Sequence, residues 1–103
     1  MMSDFRDLLE TDKLIHEPAR LVIMALLYGL DAADFFFLER ETGPMKGNLS
    51  FHLSKLEKAG YVEIEKTFRG KRPYTLLSLQ PAGRTAFQKY KKQLQDAVNS
   101  LPR

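Results

Sequence analysis

The stretch "PARLVIMALLYG", residues 18–29, constrains the fold more than any other part of the chain. On a helix, Leu21, Ala25 and Tyr28 fall on one side, and Val22, Ile23, Met24, Leu26 and Leu27 cover most of the rest. A helix that is apolar nearly all round has no face to give to solvent and has to be enclosed by its neighbours. The pattern therefore predicts a central, buried helix. Pro18 suits its first turn, where a missing N–H costs little, and Gly29 is the expected stop. The remaining segments must supply the walls, and a chain of 103 residues allows one domain with a single modest core.

Those segments are legible from period and punctuation. Residues 4–12 read as a first helix with Phe5, Leu8 and Leu9 on one side. Asp34 reads as the N-cap of a short helix through "FFFLERETG", ending near residues 42–43. "KGNLSFHLSKLEKAG" reads as a further helix with Gly60 just beyond its end, and Lys55 and Lys58 near its C-terminus, where the helix dipole favours cations. "YVEIEKTF" alternates. Val62, Ile64 and Phe68 share one face, interrupted by Lys66, while Tyr61, Glu63, Glu65 and Thr67 share the other, the period of a half-buried strand. "YTLLSL" is its partner strand, and "RGKRP" between them has hairpin-turn chemistry, with Gly70 free to take positive φ. Pro81 and Gly83 punctuate the start of a last helix, roughly 82–99, whose Phe87, Tyr90, Leu94, Ala97 and Leu101 follow a three-four heptad spacing. The fold class expected is mainly α with a small β-hairpin: four helices, the hairpin, then a long C-terminal helix, all in one domain spanning residues 1–103.

Composition narrows the function classes. The apolar share of 44% and charged share of 28% are those of an ordinary globular chain. The absence of cysteine excludes a disulfide framework and thiolate metal sites. The longest apolar stretch is too short to span a membrane, and "MMSDFRDLLE" starts acidic, unlike a signal peptide; the expected location is the cytoplasm. No Gly-rich phosphate loop, metal-spaced cluster or nucleophile with a histidine base is present, so neither an enzyme nor a cofactor is expected. Net charge is +3, but unevenly spread. Residues 1–41 carry four bases against nine acids, a balance of −5, and residues 42–103 carry twelve bases against four acids, a balance of +8. Such asymmetry suggests one face that meets a polyanion.

The element order and the string "TGPMKGNLSFHLSKLEKAGYVEIEKTFRGKRPYTLLSLQPAGR" resemble the winged helix-turn-helix transcriptional regulators, in particular the small prokaryotic ones near the MarR and ArsR groups. The resemblance covers roughly residues 16–90. It implies a recognition helix over about 46–59 that enters the major groove of double-stranded DNA, and a wing over 66–74 that follows the backbone or enters the minor groove. On a helical wheel Met45, Leu49, His52, Leu53 and Leu56 form a packing stripe, while Gly47, Asn48, Ser50, Phe51, Ser54, Lys55 and Lys58 form a mostly small, polar or basic remainder. From that remainder Asn48 can bond adenine bidentately. Ser50 and Ser54 can reach phosphates or bases, and Lys46 and Lys55 can position the helix on the backbone. Phe51 has two readings, contact with thymine methyls or packing on the wing or a second copy. His52 borders the packed side, which favours a structural hydrogen bond over a base contact.

On the wing, Arg69, Lys71 and Arg72 offer cations on a narrow projection suited to phosphates or a narrow minor groove. Two positions depart from the family pattern. Met45 stands where Ser or Thr commonly caps the recognition helix, and Pro44 occupies a turn position that usually holds a larger aliphatic residue. Gly47 softens the helix start by about 1 kcal/mol relative to alanine.

The last helix and the first suggest a homodimer, with Phe5, Leu8 and Leu9 joining Phe87, Tyr90, Leu94, Ala97 and Leu101 at the interface; a twofold dimer would place two recognition helices about one DNA turn apart. Regulators of this resemblance often answer to an effector, and nothing in the residues specifies one. The alternative function is a winged-helix protein-interaction module whose basic face binds an acidic partner protein.

Overall fold

The computed structural model describes residues 2–43 and 49–102, with side chains from residue 5 onward. The expected residues 44–48, which include Pro44, Met45, Lys46, Gly47 and Asn48, lie outside the described residues. Helix α1, Met2–Asp7, runs into a 3-10 turn, Leu8–Glu10. Helix α2 spans Pro18–Leu30, strand β1 Ala32–Asp34, helix α3 Phe35–Thr42 and helix α4 Leu49–Lys58. Strands β2, Val62–Arg69, and β3, Arg72–Leu79, form the hairpin, and helix α5 spans Pro81–Asn99. The three strands make an antiparallel sheet in the order β1-β3-β2.

Helix α2 lies at the centre of the fold, but it is not enclosed all round as its composition predicts: Pro18, Val22, Ala25 and Gly29 form an exposed stripe on one side, because the neighbouring elements pack on the opposite face. Ile23, Met24 and Leu27 are fully buried, and α2 touches α3, α4, α5, β1 and β3. Burying each such side chain contributes about 1.5–3 kcal/mol. Pro18 opens the helix, and Glu17 caps it by accepting from the Arg20 backbone N–H at 2.8 Å. That bond, first among its causes, holds the Glu17 carboxyl below the usual carboxylate range. The stop differs from expectation. The helix passes Gly29 and ends at Asp31, the one described non-glycine residue with positive φ, at 68°. Aspartate tolerates that region better than most residues, and here each part of it is used. Its N–H donates to the Leu27 carbonyl, its carbonyl accepts from Leu79 N–H at 2.8 Å, and its carboxylate takes the Arg84 guanidinium. One residue thus ties α2 to the sheet and to α5.

The first helix, expected over residues 4–12, ends at Asp7 and gives way to the 3-10 turn Leu8–Glu10, whereas the expected caps and turns at Asp34, Gly60 and Gly70 hold. Asp34 accepts from Phe37 N–H at 2.7 Å and caps α3. Gly60, at φ 79°, closes α4: Gly60 N–H donates to the Glu57 carbonyl and Tyr61 N–H to the Leu56 carbonyl, the paired bonds of a Schellman cap. In the hairpin Arg69 pairs with Arg72, leaving Gly70 and Lys71 as a two-residue turn. Gly70 has φ 66° and Lys71 does not turn positive, the pattern of a type II′ turn. Strand β1 is the element that sequence did not show. Its three residues have no visible alternation and exist as a strand through pairing with Leu76, Leu77 and Ser78.

Helix α5 begins with its most crowded contact. A Cβ added at Gly83 would stand 2.3 Å from the Tyr61 carbonyl oxygen and 2.9 Å from its Cα. That glycine therefore works as a close-approach residue, not as punctuation. The same carbonyl accepts from Gln80 N–H at 2.9 Å. Further along, Phe87 packs at 5.0 Å, centroid to centroid, from Tyr28, and the Tyr90 hydroxyl lies 2.7 Å from His16 Nδ1. Tyr61 itself is tied to Asp12 through a hydrogen bond from its hydroxyl to the carboxylate.

Three outcomes are expected. Gly83→Ala forces backbone apart at Tyr61 and should destabilise by about 1–3 kcal/mol, as overpacking does; thermal melting that matches wild type would contradict the close approach. Arg20 donates from Nε to the Leu14 carbonyl at 2.6 Å and bonds His52 Nδ1 on α4 at 3.0 Å. Arg20→Ala strips both partners and should cost about 1–3 kcal/mol in urea unfolding, with Arg20→Lys recovering only part. Burial, reinforced by Asp12, pushes the Tyr61 phenol up to about 12 from 10.0. Its folded-state value is the higher, so its contribution to stability is complete below pH 10 and is lost as pH rises toward 12. Absorbance titration of tyrosinate should show a late component that Tyr61→Phe removes.

Candidate nucleic-acid interface

Helix α4 sits on the core by one stripe and leaves two faces open. Leu49, His52, Leu53 and Leu56 are buried, as the wheel predicts. His52 is held in place by Arg20. A guanidinium only donates, so His52 Nδ1 is the acceptor and the ring proton resides on Nε2. This agrees with the structural reading of His52. It also fixes the rotation of α4 about its own axis, because the bond joins α4 directly to α2.

The first open face carries Phe51, Lys55 and Lys58. Phe51 is 53% exposed. Its ring meets His52 edge-on at 5.4 Å, and the Lys55 ammonium stands 5.1 Å from its centroid. Phe51 therefore packs against its own helix and not on the wing. A cation over an aromatic face is held at modest cost, so Lys55 is partly pre-oriented on the outer surface.

The second open face turns toward the hairpin. Ser50, Ser54 and Glu57 of α4, with buried Leu53, face Ile64 and Lys66 of β2 and Thr75 of β3 across a groove of about 650 Å³ that Phe35 also lines. The hairpin register explains which residues look into it. Residues directly opposite in an antiparallel pair point to the same side, and the pairs Val62–Leu79, Ile64–Leu77, Lys66–Thr75 and Phe68–Pro73 form the side that faces α4. Along β2 this side passes from buried Val62 through half-buried Ile64 to exposed Lys66 and Phe68.

The basic tip divides between the two sides of the hairpin. Arg69 and Arg72 pair on the side away from α4. There Arg69 lies 4.3 Å from the Tyr74 ring and its guanidinium donates to the Tyr74 hydroxyl at 3.2 Å. Lys71 is in the turn. Among the described residues no carboxylate pairs with Lys66, Lys71 or Arg72. Of the residues singled out from sequence for nucleic acid, Ser50, Phe51, Ser54, Lys55, Arg69, Lys71 and Arg72 thus all belong to α4 or to the projecting hairpin, while Lys46 and Asn48 lie outside the described residues. Lys66 and Phe68 were not singled out. Their signal was present in the alternation of β2, where a lysine interrupts an apolar face and a phenylalanine resumes it beyond the reach of the core.

The residues expected at a dimer interface separate into three groups by burial. Phe87, Tyr90 and Ala97 are buried within the single chain, so they are not a free seam. The first two belong to the core, and α1 lies along α5. Phe5 and Leu8 are half-buried. Leu9, Leu94 and Leu101 are exposed, joined by Val98. Four of the seam positions lie on α5, and Leu101, expected on the same helix, falls beyond its end at Asn99. Along the helix burial is not continuous, since Leu94 is exposed between buried Tyr90 and Ala97.

Among the described residues no helix is long and apolar enough to cross a membrane, and no group of three or more His, Asp or Glu side chains could hold a metal ion. A family model described as a winged helix DNA-binding domain matches residues 19–98. The chain is 38% identical over 78 residues to an uncharacterized protein of Methanocaldococcus jannaschii, covering 76% of this chain and 85% of that protein. Its fold is similar to that of a transcriptional regulator homologue from Pyrococcus horikoshii OT3, with a TM-score of 0.86 and 23% identity over 98% of this chain and 99% of the other. It is also similar to NadR solved in complex with 4-hydroxyphenylacetate, with a TM-score of 0.70 and 23% identity over 96% and 68% of the two chains. With the α3–α4 pair, the hairpin and the matched span in agreement, the chain belongs to the winged-helix DNA-binding domain family.

Proposed function

We propose that this protein is a homodimeric transcriptional regulator that binds specific double-stranded DNA, with α4 in the major groove and the hairpin on the backbone or in the minor groove. The observation that carries the reading is the division of labour on α4. One stripe is locked to the core and to Arg20, and the outward faces present Ser50, Phe51, Ser54 and Lys55 beside a hairpin tipped by Arg69, Lys71 and Arg72. The major groove admits one such helix, and cations on a narrow finger match a phosphate track. Asn48 and Lys46, just before the described part of α4, complete the set on sequence grounds. The exposed Leu9, Leu94, Val98 and Leu101 are the surface on which a second copy would bury apolar area, and a twofold pair would set two α4 helices about 34 Å apart. NadR's complex with 4-hydroxyphenylacetate makes small aromatic acids the first effectors to screen, by their effect on DNA affinity.

Two experiments test this. Binding of the full chain to its own upstream DNA should weaken steeply with salt, because each phosphate neutralised releases counterions. Replacing Arg69, Lys71 and Arg72 by alanine should lower affinity and flatten the salt slope by about one unit for each phosphate that is no longer neutralised, while Asn48→Ala and Ser50→Ala should relax sequence preference more than they reduce non-specific binding. Absence of duplex affinity at low salt would transfer the basic face to the protein-interaction alternative. For assembly, Leu94→Glu with Val98→Glu should convert a dimer into a monomer in sedimentation equilibrium and cut DNA affinity at least tenfold; a wild-type chain that sediments as a monomer refutes the dimer.

A further inference from the structure

Phe68 is the least explained side chain on the hairpin. It is 69% exposed, one residue from the turn, and among the described residues no ring or cation packs on it, whereas the neighbouring Arg69 is stacked on Tyr74 on the opposite side. Its cross-strand partner is Pro73, also exposed, so two apolar side chains sit together at the tip. They lie on the side of the hairpin that faces α4, one pair beyond Lys66 and Thr75, which line the groove. The surroundings are cationic: Lys66 on the same side, Arg69, Lys71 and Arg72 within four residues. A finger meant only to reach phosphates needs cations, not an aromatic ring held out in water. A ring with one cation beside it and others at the turn and on the reverse side of the same tip suits an occupant with an anionic rim and an apolar interior. Duplex DNA is such an occupant, with phosphates flanking stacked bases.

We infer that Phe68 is an apolar wedge that enters the minor groove where the wing meets DNA, partly unstacks one base step and bends the duplex. Apolar side chains inserted in this way kink DNA by roughly 20–90°. Pyrimidine–purine steps open most easily. Phe68 would therefore select TA or CA steps at positions that α4 never touches. The inference rests on the duplex-binding reading above.

The test uses the full chain and duplexes carrying its own upstream sequence, with 2-aminopurine placed at the minor-groove steps protected in a hydroxyl-radical footprint and a donor–acceptor pair at the duplex ends. Wild type should raise 2-aminopurine fluorescence several-fold at one step per half-site and shorten the end-to-end distance. Phe68→Ala should lose both signals and about tenfold in affinity, with the salt slope unchanged because no charge is removed. Phe68→Leu should keep most of each. Replacing the TA or CA step by AA should weaken wild type and leave Phe68→Ala nearly indifferent. Wild-type binding without unstacking, or a Phe68→Ala protein that unstacks and bends as wild type does, overturns the wedge while leaving the duplex reading intact. A Phe68→Ala protein whose melting temperature falls together with its affinity assigns the ring to hairpin packing and likewise overturns it. Failure of wild type to bind any duplex overturns both.

Discussion

Burial of the inner face of α2 is the constraint on which the other elements depend. Ile23, Met24 and Leu27 are fully buried on that face and five elements touch the helix, while Val22, Ala25 and Gly29 stay exposed on its outer side. Helices α3 and α4 have eight and ten described residues, lengths at which an isolated helix is marginal in water. They persist because they bury one face against α2 and the sheet. The proposed recognition surface is therefore the outside of a wall whose inside is the core, and its position is as rigid as the packing beneath it.

Arg20 adds direction to that packing. Hydrophobic contact holds α4 down but tolerates small rotations, since apolar attraction has no preferred angle. The bond from Arg20 to His52 has one, and Arg20 is itself fixed through Nε to the Leu14 carbonyl. Base readout needs side chains placed to within a hydrogen-bond length, so a polar pin inside the apolar stripe is what a reading helix requires. The hairpin is positioned differently. Its base is clamped by Val62 and Leu77, by β1, and by the close approach of α5 at Gly83, while its outer half has no support but its own cross-strand pairs.

What could be read from sequence follows this division between local and long-range causes. The Asp34 cap, the Gly60 stop and the Gly70 turn are decided within a few residues, and each stands where the pattern places it, whereas the open side of the apolar helix α2 and its end beyond Gly29 do not follow it. Strand β1 could not be read, because Ala32–Asp34 becomes a strand only by pairing with residues more than forty positions away. Gly83 looked like punctuation because its actual demand, room for the Tyr61 backbone, is invisible until α5 is docked. The α5 stripe from Phe87 to Ala97 was legible as one face, but Leu101 lies beyond the end of the helix. Spacing alone also does not reveal which positions the rest of the chain covers: Phe87, Tyr90 and Ala97 are buried and Leu94 is not. On the candidate site, the polar face of α4 and the cations of the tip were legible from residue type, whereas the sorting of Lys66 and Phe68 to one side of the hairpin and Arg69 to the other needed the register.

That register also gives the hairpin a polarity that net charge conceals. Its acids, Glu63 and Glu65, lie near the base on the side away from α4, opposite Ser78 and Leu76, and its cations crowd the outer half. A duplex approaching the outer side of the sheet would meet those carboxylates first. One approaching from the α4 side meets Lys66, then the tip. Within a Debye length of about 8 Å at physiological salt such an arrangement repels one docking mode and favours the other, so the acids near the base restrict where a basic finger can be used. In the proposed complex, specificity of orientation comes from the negative charges as much as from the positive ones.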